Sequence, residues 1–373
     1  MSITEGTPAE VKVSVAMITY NHERFIAQAI ESVLMQETDF PVELVIGEDC
    51  STDGTRAIVQ EYAARYPDKV KALLHPHNLG PAHSPGKNNL VSVLKACTGK
   101  YIALLEGDDY WTDPHKLQKQ MEFLEAHPEC SLCFHNVKMV YENLSRPTRD
   151  YCPPDQKVIS TLEDLLERNL IPTCSVMYRW GLVKELPEWF FRLRMGDWPL
   201  HVLHAQHGKI GYVDGVMGAY RIHTDSLYSQ SNKLDWLIAV FDMYAELNAH
   251  LGRKHQKRII SGLWQACEYF IVETVRNSSK SLSPSEVNRF LSTLFSRRTE
   301  KLPIPLFVQQ QIKAKCNIAA GFVCFQRSDL SGARRFMRNA IFHDARWLMN
   351  RGVLKIALGL KRPDRHAIVS STA

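Results

Sequence analysis

The chain has 373 residues, enough for one large domain with additions or for two domains, and 45% hydrophobic with 23% charged residues excludes a disordered or fibrous protein. Its nine cysteines, an odd number without metal-like or framework spacing, read as reduced thiols in a cytosolic protein; residues 1–10 have neither a basic segment nor an apolar core, so no signal peptide is expected, and no apolar run is long enough to span a bilayer. The net charge of +5 is unevenly spread: residues 301–373 carry 13 Lys and Arg against 3 Asp, or +10, which leaves −5 for the first 300 residues.

In chain order, residues 11–19 are apolar and end at Tyr20-Asn21, a predicted buried strand followed by a helix cap. Phe25, Ile26, Ala29, Ile30, Val33 and Leu34 recur at three and four, the pattern of an amphipathic helix laid on a sheet. Residues 42–46 predict a second buried strand that delivers Glu48, Asp49, Cys50, Ser51, Thr52, Asp53, Gly54 and Thr55 into a polar turn before another helix. Residues 70–74 predict a third strand, and the Gly-, Pro-, His- and Asn-rich stretch 75–89 a loop into a helix over 90–96. Residues 101–105 are a fourth apolar run that leads straight into Glu106, Gly107, Asp108 and Asp109. Strand and helix units repeated in this way, with polar residues after each strand, argue for an α/β fold with a mostly parallel sheet covered on both faces. Neither a Gly-x-Gly-x-x-Gly fingerprint nor a P-loop is present, which argues against an NAD, FAD or P-loop enzyme.

Acids crowded at the carboxyl end of a buried strand repel one another and lose water, so a divalent cation that receives a diphosphate is one reading of residues 106–109. A solvated acidic turn before a helix capped by Asp113 and started by Pro114 is the other. Farther on, residues 131–141 are strand-like, Ser160 and Glu163 have capping-box spacing, and 171–178 predict a strand crossing toward the site. Gly196-Asp197-Trp198 precedes an apolar helical run to residue 203, and residues 210–213 form another strand. Residues 218–226, Gly-Ala-Tyr-Arg-Ile-His-Thr-Asp-Ser, read as a strand end and loop, and from 234 onward the pattern is helical. A boundary near Asn232 divides an α/β domain, 1–232, from a helical, basic domain, 233–373.

Together these stretches resemble the family 2 glycosyltransferases, inverting sugar-nucleotide enzymes of the GT-A fold, over roughly residues 11–226. The resemblance rests on ordered motifs: Thr19-Tyr20-Asn21, the two-acid turn of residues 48–55, Asn78-Leu79-Gly80 followed by Gly86-Lys87-Asn88, and Gly99-Lys100-Tyr101 leading to residues 106–109. Two places depart from the family pattern. Glu106 stands where Asp usually opens the metal motif, and Gly86-Lys87 replaces Ala-Arg, so that a point charge replaces a bidentate fork.

The resemblance implies a nucleotide pocket of Thr19, Tyr20, Asn21, Glu48, Asp49, Lys87, Glu106, Gly107 and Asp108, with Asp49 accepting from the base. It implies a Mn²⁺ or Mg²⁺ ion on Asp108, with His223 and possible help from Asp109, and Asp197 as general base. Arg221 is a candidate phosphate contact, and Trp198 and Trp111 are candidate flat surfaces for a sugar or acceptor. An Asx turn at Asp49, a helix cap at Asp197 and core packing of the tryptophans are the structural alternatives. The donor would be a UDP-, dTDP- or GDP-sugar, and the acceptor a glycan or lipid-linked glycan of a bacterial surface polysaccharide. A Gln/Arg-x-x-Arg-Trp motif is absent after Asp197, which points to single addition. A sugar-nucleotide nucleotidyltransferase and a degraded transferase acting as a binding module are the alternatives.

Residues 302–360 have helical apolar spacing interspersed with Arg and Lys. Residues 351–361 could lie on an anionic membrane, giving a cytoplasmic protein peripheral at the inner face; a solvated face packing on the catalytic domain or forming a homodimer is the plainer alternative. No nucleic-acid module accompanies the basic residues, so no nucleic-acid partner is expected.

Overall fold

The computed structural model describes residues 11–80, 86–142, 146–224, 233–277, 283–297 and 299–359. The chain divides into two compact units, Met1–Gln230 and Ser231–Ala373. The expected boundary at Asn232 lies outside the described residues.

The first unit is built on one sheet whose described strands are β1 (Val13–Thr19), β2 (Val42–Glu48), β3 (Val70–Leu74), β4 (Tyr101–Glu106), β5 (Tyr110–Trp111), β6 (Cys130–Tyr141), β7 (Arg149–Asp150), β8 (Ile159–Ser160), β9 (Met177–Arg179) and β10 (Lys209–Ile222). The order is β3-β2-β1-β4-β9-β6-β10-β5. The first four strands are parallel, and Val13, Val15, Met17, Ile46, Ala103 and Leu105 are buried along them. Strands covered on both faces read as continuous apolar runs, which is why they were visible in the sequence. Past β4 the sheet is mixed: β9 is antiparallel to both β4 and β6, while β6 and β10 run parallel. β5 lies antiparallel on β10, pairing Gly218 with Trp111 and Ala219 with Tyr110. That pairing carries the end of β10 back beside the acids that follow β4.

The helices of this unit are α1 (Ile26–Leu34), α2 (Thr55–Arg65), α3 (Lys87–Ala96), α4 (Lys116–Ala126), α5 (Leu162–Glu167), α6 (Glu188–Arg192) and α7 (Asp197–Ala205). α1 buries Ile26, Ala29, Ile30 and Val33, the apolar stripe read from its sequence. Several expectations shift. The capping box before α5 is Thr161 with Asp164, not Ser160 with Glu163, because Ser160 is still paired in β8. Residues 171–178 are a 3₁₀ turn, Thr173–Ser175, that leads into the short β9. Asn21 is not a helix cap; it takes a left-handed φ of 55° and joins the ends of β1 and β2.

The second unit contains α8 (Lys233–His250), α9 (Gln256–Asn277), α10 (Pro284–Phe295), α11 (Leu306–Gln326), α12 (Leu330–His343), a 3₁₀ turn (Ala345–Met349) and α13 (Arg351–Leu358). Ser283 and Glu286 close a capping box on α10 with Pro284 at its first position, and Asp329 caps α12. The stretch 351–361 expected to lie on a membrane is described only to residue 359, helical through Leu358.

Candidate active site

β4 ends on Glu106, and the turn that follows brings Glu106, Asp108 and Asp109 together with ligand oxygens all within 4.8 Å of one another. Gly107 makes this turn possible. A Cβ there would come within 2.6 Å of Thr19 Oγ1 and 2.9 Å of His22 Nδ1, so only glycine lets the turn lie against β1. Burial, and then the charges of neighbouring acids, push Glu106 and Asp109 well above the usual carboxylate range. Burial also acts to raise Asp108, but the His223 hydrogen bond and the fields of His22 and His223 outweigh it and hold that carboxyl low.

Two histidines face Asp108. His223 Nε2 lies 3.1 Å from Asp108 Oδ2, and His22 Nε2 lies 3.8 Å from the same oxygen. His22 was missed by the sequence reading, although it directly follows the Thr19-Tyr20-Asn21 motif. Arg221 is engaged with the turn itself: its backbone N–H donates to Asp109 Oδ1 at 2.8 Å and its guanidinium to the Asp108 carbonyl at 2.6 Å and to Gln28. The guanidinium also lies over the rings of Tyr110 and Phe25, at 4.4 and 5.0 Å. Asp109 Oδ2 is buried without a hydrogen-bond partner among the described residues, the Cys174 thiol lying close by. Glu106, Asp108, Asp109 and His223 are the residues here that offer cation donors.

Of the expected nucleotide residues, Thr19, Tyr20, Asn21, Glu48 and Asp49 lie at the ends of β1 and β2. Asp49 is buried and accepts from the Leu79 backbone N–H at 2.8 Å, and burial raises its pKa. Asn78 donates to the Asp49 carbonyl at 3.1 Å, so the Asn78-Leu79-Gly80 motif acts by holding Asp49. Glu48 is fully buried, accepts from Ser51 N–H at 2.7 Å and pairs with Arg56, so its carboxylate is already committed. Tyr20 is exposed, and Thr19 Oγ1 is buried and unpartnered among the described residues.

Asp197 opens α7, and Thr173 Oγ1 donates to its Oδ2 at 3.1 Å. Asp197 lies within electrostatic reach of Glu106, Lys87, Tyr178 and His201. Lys87, expected at the nucleotide, is buried instead beneath the segment leading to Asp197, donating to the Phe190 carbonyl at 2.8 Å and to the Leu193 carbonyl. Burial draws its pKa down to about 8 against the opposing field of Asp197. Trp198 and Trp111 are core side chains and not open platforms. Their indole N–H groups donate to the carbonyls of Leu165 and Cys174, and the Lys116 ammonium lies 3.7 Å over the Trp111 ring.

The family model for glycosyl transferase family 2 matches residues 14–187, which include the acids of residues 48–49 and 106–109. The putative teichuronic acid biosynthesis glycosyltransferase TuaG of Bacillus subtilis is 30% identical over 232 residues, covering 61% of this chain and 86% of that protein. The chain belongs to glycosyl transferase family 2. An uncharacterized protein of Mycobacterium tuberculosis is 39% identical to this transferase over 250 residues, 66% of this chain and 69% of that protein. Among solved structures, Staphylococcus aureus TarS 1–349 in complex with UDP-GlcNAc aligns with a TM-score of 0.60 at 20% identity, covering 90% of this chain and 92% of that one. The fold is therefore GT-A-like, an α/β catalytic unit accompanied by helices.

Proposed function

We propose that this family 2 glycosyltransferase is a metal-dependent inverting enzyme that moves a sugar from a nucleotide-diphosphate donor to a hydroxyl of a bacterial surface glycan. The convergence of Asp197 with the acids after β4 carries the reading: one carboxylate held by Thr173 stands within the field of a half-buried Glu106 beside Asp108 and His223. The polysaccharide context is supported by the name of the similar TuaG, and a UDP-linked donor by the ligand named for TarS.

The acidic turn fits a hard divalent cation. Three carboxylates converge, Asp109 Oδ2 is buried without a partner among the described residues, and an imidazole meets Asp108, a donor set that fits Mn²⁺ adequately and Mg²⁺ less well. Asp108, with His223 and Asp109, would hold it, and when bound it supplies Lewis-acid compensation for charge on the departing diphosphate. Asp49, presented by Leu79 and Asn78, accepts from the N–H edge of the base. Asp197 removes the proton of the acceptor hydroxyl. That oxygen bonds to the anomeric carbon from the face opposite the diphosphate, and the bond to the diphosphate breaks with its electron pair leaving on the nucleoside diphosphate.

The deciding experiment screens UDP-, GDP- and dTDP-sugars by thermal shift with and without Mn²⁺, then measures transfer with the selected donor. Asp108→Ala is expected to lose metal-dependent donor stabilisation. Asp197→Asn is expected to keep it and to lose turnover by about 10²- to 10⁴-fold. Transfer at the normal rate by Asp197→Asn would remove Asp197 as the base, and full activity in excess chelator would remove the cation.

A further inference from the structure

At one end of the helical unit, large apolar side chains stand uncovered. Leu306 and Phe307, which begin α11, are 69% and 65% exposed; Phe342, in the last turn of α12, is 83% exposed, and Met349, closing the 3₁₀ turn, is 87% exposed. They share an end because α11 and α12 run antiparallel. His343 meets Gln310, one turn along α11 from Phe307, and a surface cleft brings Trp347 and Met349 against Gln311.

The stretch that carries these side chains is basic. Residues 306–358 hold nine Lys and Arg against two Asp. Both acids are committed locally, Asp329 to the Gly332 N–H at 2.8 Å and Asp344 to Arg346. Arg335 and Arg338 precede Phe342 by seven and four residues, so helical periodicity sets all three along one stripe of α12. Arg335, Arg351 and Lys355 are exposed and form no ion pair with an acid among the described residues.

We propose that this end of the helical unit docks peripherally on an anionic lipid bilayer, with Phe342, Met349, Leu306 and Phe307 entering the boundary between headgroups and acyl chains and Arg335, Arg351 and Lys355 meeting lipid phosphate. Long exposed apolar side chains with exposed cations on the same helical segments are the chemistry that such an interface selects. A second copy docked on the same patch would bring two basic surfaces together across a two-fold axis. No helix among the described residues is long and apolar enough to cross a membrane, so the contact is one of surface attachment. The surface uses no residue of the proposed sugar-transfer site, and the two readings fail separately.

The test is flotation of the full chain with vesicles of phosphatidylcholine alone or with about a quarter phosphatidylglycerol, at about 0.1 M and about 0.5 M salt. Binding is expected on the anionic vesicles and is expected to weaken with salt. Phe342→Ser combined with Met349→Ser should lower the partition coefficient about tenfold or more. Arg335→Gln combined with Arg351→Gln should abolish the preference for anionic lipid. All four side chains are exposed, so thermal midpoints are expected to stay unchanged and to exclude misfolding as the cause. Equal partitioning onto neutral vesicles, or binding untouched by the Phe342 and Met349 changes, would overturn the proposal. So would a dimer in sedimentation that those changes dissociate while vesicles bind nothing.

Discussion

The Lys87 ammonium lies 2.8 Å from the Phe190 carbonyl, which joins the start of α3 to the segment that presents Asp197. Its second bond, to the Leu193 carbonyl, leaves the buried amine as a clamp on residues 190–193, while Asp197 contributes to its electrostatic surroundings. Lys87→Met is therefore expected to lower kcat by about 100-fold through a misplaced base, with donor affinity changed by less than about twofold. Separate measurement of donor binding by calorimetry and of turnover decides it. A large loss of donor affinity would return Lys87 to the nucleotide pocket.

His223 is expected to act through the cation and not through the base. Removing the imidazole with His223→Ala should weaken the Mn²⁺ dependence of donor binding by about 10- to 100-fold. Titrating Mn²⁺ against the thermal shift produced by the donor reads this directly, and an unchanged midpoint would exclude His223 from the metal shell.

Gly107 is predicted to be intolerant of any side chain. An alanine Cβ would stand 2.6 Å from Thr19 Oγ1 and 2.8 Å from Thr19 Cβ, and the β-carbon has no freedom to move away. Gly107→Ala should cost about 1–3 kcal/mol of stability and displace Asp108 from His22. Denaturant unfolding gives the first quantity, and a weakened Mn²⁺ response gives the second.

Acid should destabilise the protein through three buried histidines. Burial lowers His135 to about 3 and His201 and His204 to about 4, from 6.5. Between those values and 6.5 the unfolded chain binds more protons than the folded one, so the stabilisation is complete above about pH 6.5 and is lost as pH falls toward 4. Each group contributes a slope of up to about 1.4 kcal/mol per pH unit in that window. His204→Phe, which keeps an aromatic ring near Tyr178 and Trp180, is expected to flatten the fall in Tm between pH 6.5 and 5. An unaltered slope would show that His204 titrates normally.

Much of the catalytic unit was written locally. β1, β2 and β4 are continuous apolar runs because both faces of the sheet are covered, and each ends in polar residues, of which Glu48 and Asp49 accept backbone N–H groups of the segments that follow. The acids of residues 106–109 are a local signal, because they follow a buried strand; Asp49 and Asp197 stand out through the resemblance of their motifs, since locally they read as a turn and a helix cap. The motif order added the family. The side-chain partners were not legible in this way. Lys87 meets carbonyls 103 and 106 residues away, His223 meets an acid 115 residues back, and Trp198 spends its indole N–H on Leu165. Nothing in the neighbourhood of a lysine or a tryptophan says whether its tip reaches a ligand, solvent or another segment's backbone. That depends on how distant strands are laid side by side, above all on the antiparallel pairing of β5 with β10, which returns residues 218–223 to the acidic turn. Local composition determined which residues can do chemistry, and tertiary pairing decided which of them are free to do it.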